Sequence, residues 1–160
     1  MIDVLVIQPD DWQLWRALRR QALSESPAAF GSTLADWSGA GDKELRWRGR
    51  LENVALNLVL TLDGEPMGMV SATAARKAAD VELISLWVAP AARGRGVGDE
   101  AVRRVLAWVR TEHPGSRLVL SVKRSNRPAS LLYQRHGFID AGPSPDDDDE
   151  VLMIHPDTPL

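Results

Sequence analysis

Val81-Glu82-Leu83-Ile84-Ser85-Leu86-Trp87-Val88-Ala89-Pro90-Ala91-Ala92-Arg93-Gly94-Arg95-Gly96-Val97-Gly98 is the stretch that decides the fold. Its first eight residues are apolar at nearly every position, the pattern of a strand covered on both faces, so it is placed centrally in a sheet. Pro90 stops the strand. A helix then follows over about 98–112, with Ala101, Val102, Val105, Trp108 and Val109 on one face at helical spacing. Between strand and helix lies a loop carrying Gly94, Gly96 and two arginines, with Gly98 where the helix opens.

That loop is the strongest chemical signal in the chain, though not a specific one by itself. Glycines let backbone approach a ligand closely. The first N–H groups of a helix have no partner in their own helix and suit phosphate oxygens. Arg93 and Arg95 add planar donor forks. Together they point to a pyrophosphate. The spacing is G-x-G-x-G, not the dinucleotide G-x-G-x-x-G, and no Gly-Lys-Ser/Thr occurs. Coenzyme A also carries a pyrophosphate and fits neither objection. The plain alternative is a glycine-rich turn that holds nothing.

The remaining elements are read outward from this centre. Residues 4–7 form a short strand, and Pro9-Asp10-Asp11 opens a helix with Leu14, Leu18 and Ala22 as its stripe and Trp15 beside it. Ser26-Pro27 ends it. A second helix is expected over about 42–51, with Leu45, Trp47 and Leu51 apolar and Gly49 weakening it. Residues 55–62 and 67–73 make a hairpin around Asp63-Gly64. Residues 75–80, with Arg76, Lys77 and Asp80, form an exposed connection. A strand over 118–122, a short helix opened by Pro128, and two strands over 138–141 and 151–154 complete the chain. The order is β-α-α-β-β-β-α-β-α-β-β. It combines hairpins with one strand–helix–strand crossover, giving an α/β fold with a mixed, mostly antiparallel sheet flanked by helices.

The chain has 160 residues, about one domain at roughly 100–200 residues each, so residues 1–160 are taken as a single domain. A formal charge of −3 argues against a nucleic-acid binder with a broad basic face. With no cysteine there is no disulfide, no thiolate nucleophile and no Cys-based metal site. His113, His136 and His155 share no ligand spacing, so no metal is expected. The longest apolar stretch, 54–62, is interrupted by Asn57 and Thr61 and falls short of the roughly 20 residues that span a bilayer. No secretory signal is visible at the N-terminus. The expectation is a cytoplasmic protein with neither membrane nor nucleic-acid partner.

From Glu82 to Phe138 the chain resembles the GNAT superfamily of acetyl-CoA-dependent N-acetyltransferases. Arg93, Gly96 and Gly98 match that family's Arg/Gln-x-x-Gly-x-Gly/Ala loop, and Leu86-Trp87-Val88-Ala89-Pro90 matches the strand end before it. Asn126-x-x-Ala129-x-x-Leu132-Tyr133-x-x-x-Gly137-Phe138 resembles its second signature, and the element order agrees. The resemblance implies a GNAT-like fold with acetyl-CoA as acetyl donor. It implies that backbone of Leu86, Trp87 and Val88 lines the pantetheine arm, the side chains of Leu86 and Val88 being core. It further implies that Gly94, Arg95, Gly96, Val97, Gly98 and Asp99 wrap the pyrophosphate, with Arg93 in the motif and Asp99 offering only its N–H.

Several roles have a structural alternative. Asn126 matches a cofactor-contacting asparagine, or is a cap or turn residue. Lys123 and Arg124 meet the phosphates or are solvated. Tyr133, the only tyrosine, matches the residue that protonates the leaving thiolate, or is an amphipathic core residue. Glu82 matches the general base of the histone-acetylating branch, or is an edge carboxylate; an ordered-water chain with Ser85 is the other route for the proton. Period two puts Glu82 on the face of Ile84, Leu86 and Val88. Phe30, Gly31 and Ser32 are assigned to acceptor contact, and the six tryptophans to core or groove packing.

The activity implied is direct transfer of acetyl from acetyl-CoA to a primary amine of a small molecule or peptide. A non-catalytic acyl-CoA-binding sensor and a ligand-free interaction module are the rivals. A homodimer is left open. The run Asp146-Asp147-Asp148-Asp149-Glu150 is a solvated hairpin tip or a lure for a cationic acceptor.

Overall fold

The computed structural model describes residues 1–74 and 79–156. Arg76 and Lys77 of the expected exposed connection lie outside them. The elements in chain order are β1 (Ile2–Val6), α1 (Trp12–Glu25), α2 (Glu44–Asn53), β2 (Leu56–Leu62), β3 (Glu65–Ala74), β4 (Val81–Val88), α3 (Val97–Glu112), β5 (Leu118–Lys123), α4 (Arg127–Arg135), β6 (Ile139–Pro143) and β7 (Glu150–His155). Short 3-10 turns lie at 9–11, 27–29, 35–37, 39–41 and 90–92. This is the expected order. The strands form one seven-stranded mixed sheet in the order β1-β2-β3-β4-β5-β7-β6, with β4 at its centre. The β4–β5 pairing is parallel, as the α3 crossover requires, while β1–β2, β5–β7 and β6–β7 are antiparallel. Among the described residues no helix is long and apolar enough to cross a membrane.

The backbone groups into two compact units: Met1–Ser71 with Ser85–Ala101, and Ala72–Ile84 with Val102–Leu160. The first is organised by tryptophans. Trp15 and Trp47 are wholly buried and Trp37 and Trp87 nearly so, in a cluster with Leu18, Leu23, Leu51 and Met69. α1 presents Trp15, Leu18, Ala22 and Leu23 to it, close to the expected stripe. α2 presents Trp47 and Leu51, but Leu45 is 85% exposed, contrary to expectation. From Trp47, two residues back is about 200° round the helix, so Leu45 and Trp47 point to opposite sides. β1 starts at Ile2 because its register runs from Ile2–Leu62 to Val6–Leu58. The β2–β3 turn has Asp63 at φ 52° and Gly64 at φ 87°, the two left-handed residues of a type I′ hairpin.

The link between α1 and α2 is electrostatic. Asp42 accepts from Arg16 at 2.7 and 2.5 Å and from the Trp47 indole at 2.8 Å, and Arg20 lies 3.5 Å away. Arg16 first, then Trp47, holds the Asp42 carboxyl well below the usual carboxylate range. A carboxyl depressed on folding stabilises above its unfolded value of about 3.9, and that contribution is lost as pH falls toward the folded value. Asp42→Asn should therefore lower the melting temperature at pH 7 and shrink its fall between about pH 5 and pH 2. An identical pH profile in both proteins would remove Asp42 from the acid response.

In the second unit β5 pairs with β7 along its whole length, from Leu118–His155 to Lys123–Glu150. Tyr133, Phe138 and His155 form an edge-to-face series, with ring centroids 5.7 and 5.2 Å apart. His155 Nε2 lies 2.8 Å from the carbonyl of His136. Gly137 has φ 92°, and a Cβ there would sit 3.1 Å from His155 Nε2, so the turn after α4 requires glycine. Asp80, expected to be exposed, keeps only 12% of its side chain accessible and receives both Arg117 donors at 3.0 and 2.9 Å.

Candidate active site

β4 ends at Val88 and α3 begins at Val97. The strand is half-buried at Glu82, Ile84, Leu86 and Val88 and buried at Val81, Leu83 and Trp87. The expected core side chains, Leu86 and Val88, thus give way to Trp87, which is 4% exposed. A strand apolar at nearly every position does not reveal which alternate set faces the densest packing. The Trp87 indole donates to Glu25 at 3.0 Å. Within β4, Ser85 has φ 59°, a left-handed conformation rare for a residue with a side chain. The parallel β4–β5 register runs over Val81–Leu118 and Glu82–Val119, ahead of that kink.

The loop behaves as its glycines predict. Gly94 and Gly96 take φ 75° and 88°. The helical ladder of α3 opens with Glu100 N–H donating to Gly96 carbonyl at 3.0 Å. The N–H groups of Val97 and Gly98 therefore precede the first helical donor, which is the arrangement that receives phosphate oxygens. Asp99 is half-buried in the first turn. Gly68 of β3, which the sequence does not single out, supports this corner: a Cβ there would lie 2.9 Å from Val97 Cγ1 and 3.3 Å from the Trp87 carbonyl. Gly68→Ala must push β3, Trp87 or α3 apart and should cost about 1–3 kcal/mol of stability. A denaturant midpoint equal to wild type would show that the corner yields freely.

The two loop arginines differ. Arg93 Nε donates to the Val88 carbonyl at 3.0 Å and its Nη2 to Glu25 at 2.5 Å. Ser26, Trp87 and Arg93 together hold the Glu25 carboxyl below its ordinary value. Arg93 thus ties the loop to the end of α1, a structural task beside the phosphate contact expected of it. Arg95 stands 4.0 Å from Asp63 and is more than half exposed.

Asn126 is the N-cap of α4: its Oδ1 accepts from the Ala129 N–H at 3.3 Å and its carbonyl from the Ser130 N–H at 3.1 Å. Tyr133 is buried, and burial pushes its phenol well above the ordinary range, so the hydroxyl stays protonated at neutral pH. Lys123, partly exposed, donates to Asp147 at 2.7 Å, a partner that neither reading of it included. That pair corrects the reading of the acidic run as a uniformly solvated tip. Glu150 belongs to β7 and is paired with Lys123 in register, leaving Asp146, Asp148 and Asp149 exposed. Phe30 packs on the tryptophan cluster with the Arg19 guanidinium 4.6 Å from its ring centre, Gly31 faces open space and Ser32 is half-buried.

The model of the acetyltransferase (GNAT) family matches residues 13–138. The chain belongs to that family. GNAT enzymes use acetyl-CoA, and the loop geometry fits it: left-handed glycines at the start of a sixteen-residue helix offer backbone N–H groups to a pyrophosphate. A GNAT acetyltransferase from Streptococcus pneumoniae shares the fold at TM-score 0.75, with 19% identity over 96% of this chain and 97% of that one. The PaiA N-acetyltransferase of Thermoplasma acidophilum, solved with coenzyme A, has TM-score 0.75 and 15% identity, covering 96% and 98%. The spermidine N-acetyltransferase of Vibrio cholerae, solved with CoA and spermine, has TM-score 0.71 and 16% identity, covering 96% and 92%. No curated protein shows significant sequence similarity to the chain.

The residues that sequence reasoning missed are Arg19 and Arg50. Arg19 lies inside the apolar stripe of α1, four residues from both Trp15 and Leu23, and Arg50 lies three residues after Trp47. Asn57, a polar break in the apolar run of β2, is a signal that could have pointed there: it accepts from Arg50 at 2.8 Å and from Ser71 at 2.7 Å.

Proposed function

We propose that the protein is an N-acetyltransferase in which residues 1–160 work as one catalytic domain, moving acetyl from acetyl-CoA directly to a primary amine of a small molecule or peptide. The observation that carries this is the start of α3, where two left-handed glycines precede a helical ladder opening at Glu100. Backbone N–H groups of Val97, Gly98 and Asp99 receive the pyrophosphate, with Gly94 and Arg95 around it. Backbone of Leu86, Trp87 and Val88 aligns the pantetheine arm, and the free end of the Asn126 carboxamide adds a polar contact. The Val88 carbonyl already accepts from Arg93, so the arm is left the other backbone groups of this stretch.

Acetyl-CoA supplies an activated thioester carbonyl. The amine nitrogen forms the new C–N bond and the C–S bond breaks. An alkylammonium with a pKa of about 10.4 must first lose a proton. Glu82 takes it, directly or through water held with Ser85. Tyr133 keeps a proton on its oxygen for the departing sulfur. With no cysteine in the chain, an acetyl-cysteine route is closed.

The test is thiol release from acetyl-CoA against a panel of amines, run beside a thermal-shift titration with acetyl-CoA. Turnover with at least one amine supports the reading. A thermal shift without turnover over the whole panel would make the protein an acyl-CoA sensor, and no shift at all would remove the cofactor.

A further inference from the structure

Arg19, Arg50 and Trp15 form an unusual buried group in the first unit. Arg19 is only 8% exposed and Trp15 not at all, yet Arg19 Nη1 and Trp15 Nε1 have no hydrogen-bond partner. They stand four residues apart on α1, so they share one face of the helix. The Arg50 guanidinium lies 5.3 Å from the Trp15 ring centre. Its Nη2 donates to Ser71 Oγ at 3.2 Å and Ser85 Oγ at 3.3 Å. Among the described residues neither Arg19 nor Arg50 forms an ion pair. Burial lowers both guanidinium pKa values to about 10, and the charge of Arg19 acts on Arg50.

Two desolvated cations without a carboxylate are costly. Arg50 also donates through Nη1 to Asn57 at 2.8 Å and Arg19 stacks on Phe30 at 4.6 Å, but neither contact supplies a negative charge, which a bound anion would. The open valences are all donors: Arg19 Nη1, Trp15 Nε1, and the Ser85 hydroxyl proton, whose oxygen already accepts from Arg50. A group that only accepts, in a plane matched by guanidinium forks, satisfies the set. Ser85, where β4 turns left-handed, directly precedes Leu86, where the pantetheine arm is proposed to run. A polyamine is the wrong occupant, because it would bring more positive charge to two uncompensated guanidinium groups.

We propose that Arg19, Arg50, Trp15 and Ser85 form a carboxylate-binding subsite, so that the acceptor amine is an amino acid or a similar small amine bearing a carboxylate. This rests on the acetyltransferase reading for the word acceptor, but the subsite itself does not.

The test pairs amino acids with the same amines lacking the carboxylate, with their amides, with aminophosphonates and with spermidine. Thermal shift without acetyl-CoA reads binding, and thiol release with it reads turnover. The expected result is stabilisation by an amino acid, at least tenfold weaker binding of its amide, and none by spermidine. Arg50→Met and Arg19→Met should each weaken carboxylate binding by about tenfold to a hundredfold, the usual range for a charge-assisted hydrogen bond. Arg50→Lys should recover part of it. Arg19→Met should fold with an unchanged or raised melting temperature in the absence of ligand, because it removes an uncompensated buried charge. A merely structural arginine would instead lower the melting temperature and leave the preference for carboxylate intact. The subsite is overturned if amides or decarboxylated amines bind and turn over as well as the amino acids, if both methionine variants keep wild-type carboxylate affinity, or if aminophosphonates outcompete every carboxylate. Carboxylate stabilisation without thiol release from any acceptor would support the subsite and overturn the acetyltransferase reading alone.

Discussion

Tyr133→Phe is expected to lower kcat by about 10²–10⁴-fold, the usual worth of general acid–base catalysis, while changing the Kd for acetyl-CoA by less than about threefold. The substitution removes one oxygen and keeps the ring. The edge-to-face contact with Phe138 at 5.7 Å therefore survives, and with it the packing of α4. Because burial raises the phenol above its ordinary value of about 10, the acid form persists through neutral and mildly alkaline pH. Any alkaline limb of kcat due to Tyr133 should accordingly lie above about pH 10. Single-turnover thiol release is the measurement, since it isolates chemistry from product departure. A variant with the wild-type single-turnover rate removes Tyr133 from proton transfer. A variant that unfolds or loses acetyl-CoA binding would make it a core tyrosine.

The sequence carried those parts of the fold that short-range physics determines. β4 occupies 81–88 as read, because a continuous apolar run bounded by Pro90 leaves little choice of ends. The Asp63-Gly64 turn has both residues left-handed, because the hairpin twist demands it. α3 starts one residue earlier than the glycine pattern indicated. Where register decides, local reading slips: β1 begins at Ile2, fixed by its pairing with Leu62 far along the chain.

Charged side chains were the least legible part of the candidate site. Arg93 is held by Glu25, Lys123 by Asp147 and Arg117 by Asp80, partners dozens of residues apart. Nothing in a local window records such pairings, so an arginine in a glycine loop reads as a phosphate ligand and nothing more. Arg19 and Arg50 were harder still. Both sit next to apolar positions on amphipathic helices, where a charged residue ordinarily marks the solvent edge of the stripe. Only Asn57, polar inside a strand that is otherwise almost wholly apolar and buried at every position, marked the place where α2 turns a polar group inward.

Gly96→Glu should abolish acetyl-CoA binding, measured as loss of the cofactor-dependent thermal shift. At a hundredfold excess over Kd, wild-type protein gains about 2.7 kcal/mol of apparent stability by linkage. Two separate effects act at this position. Gly96 has φ 88°, which a residue with a side chain adopts only at a cost of about 1–2 kcal/mol. Its Cβ would meet only Ile2 Cδ1 at 3.7 Å, an ordinary contact, so crowding by the protein is not the cause. The added carboxylate is the second effect, a negative charge at the helix end proposed to receive a pyrophosphate. Gly96→Ala separates the two, since it carries the backbone strain without the charge. The alanine variant should keep a reduced shift and the glutamate variant none, with similar melting temperatures in the absence of cofactor. Equal shifts in both variants and in wild type would mean that the start of α3 does not hold the phosphates, whatever the rest of the molecule binds.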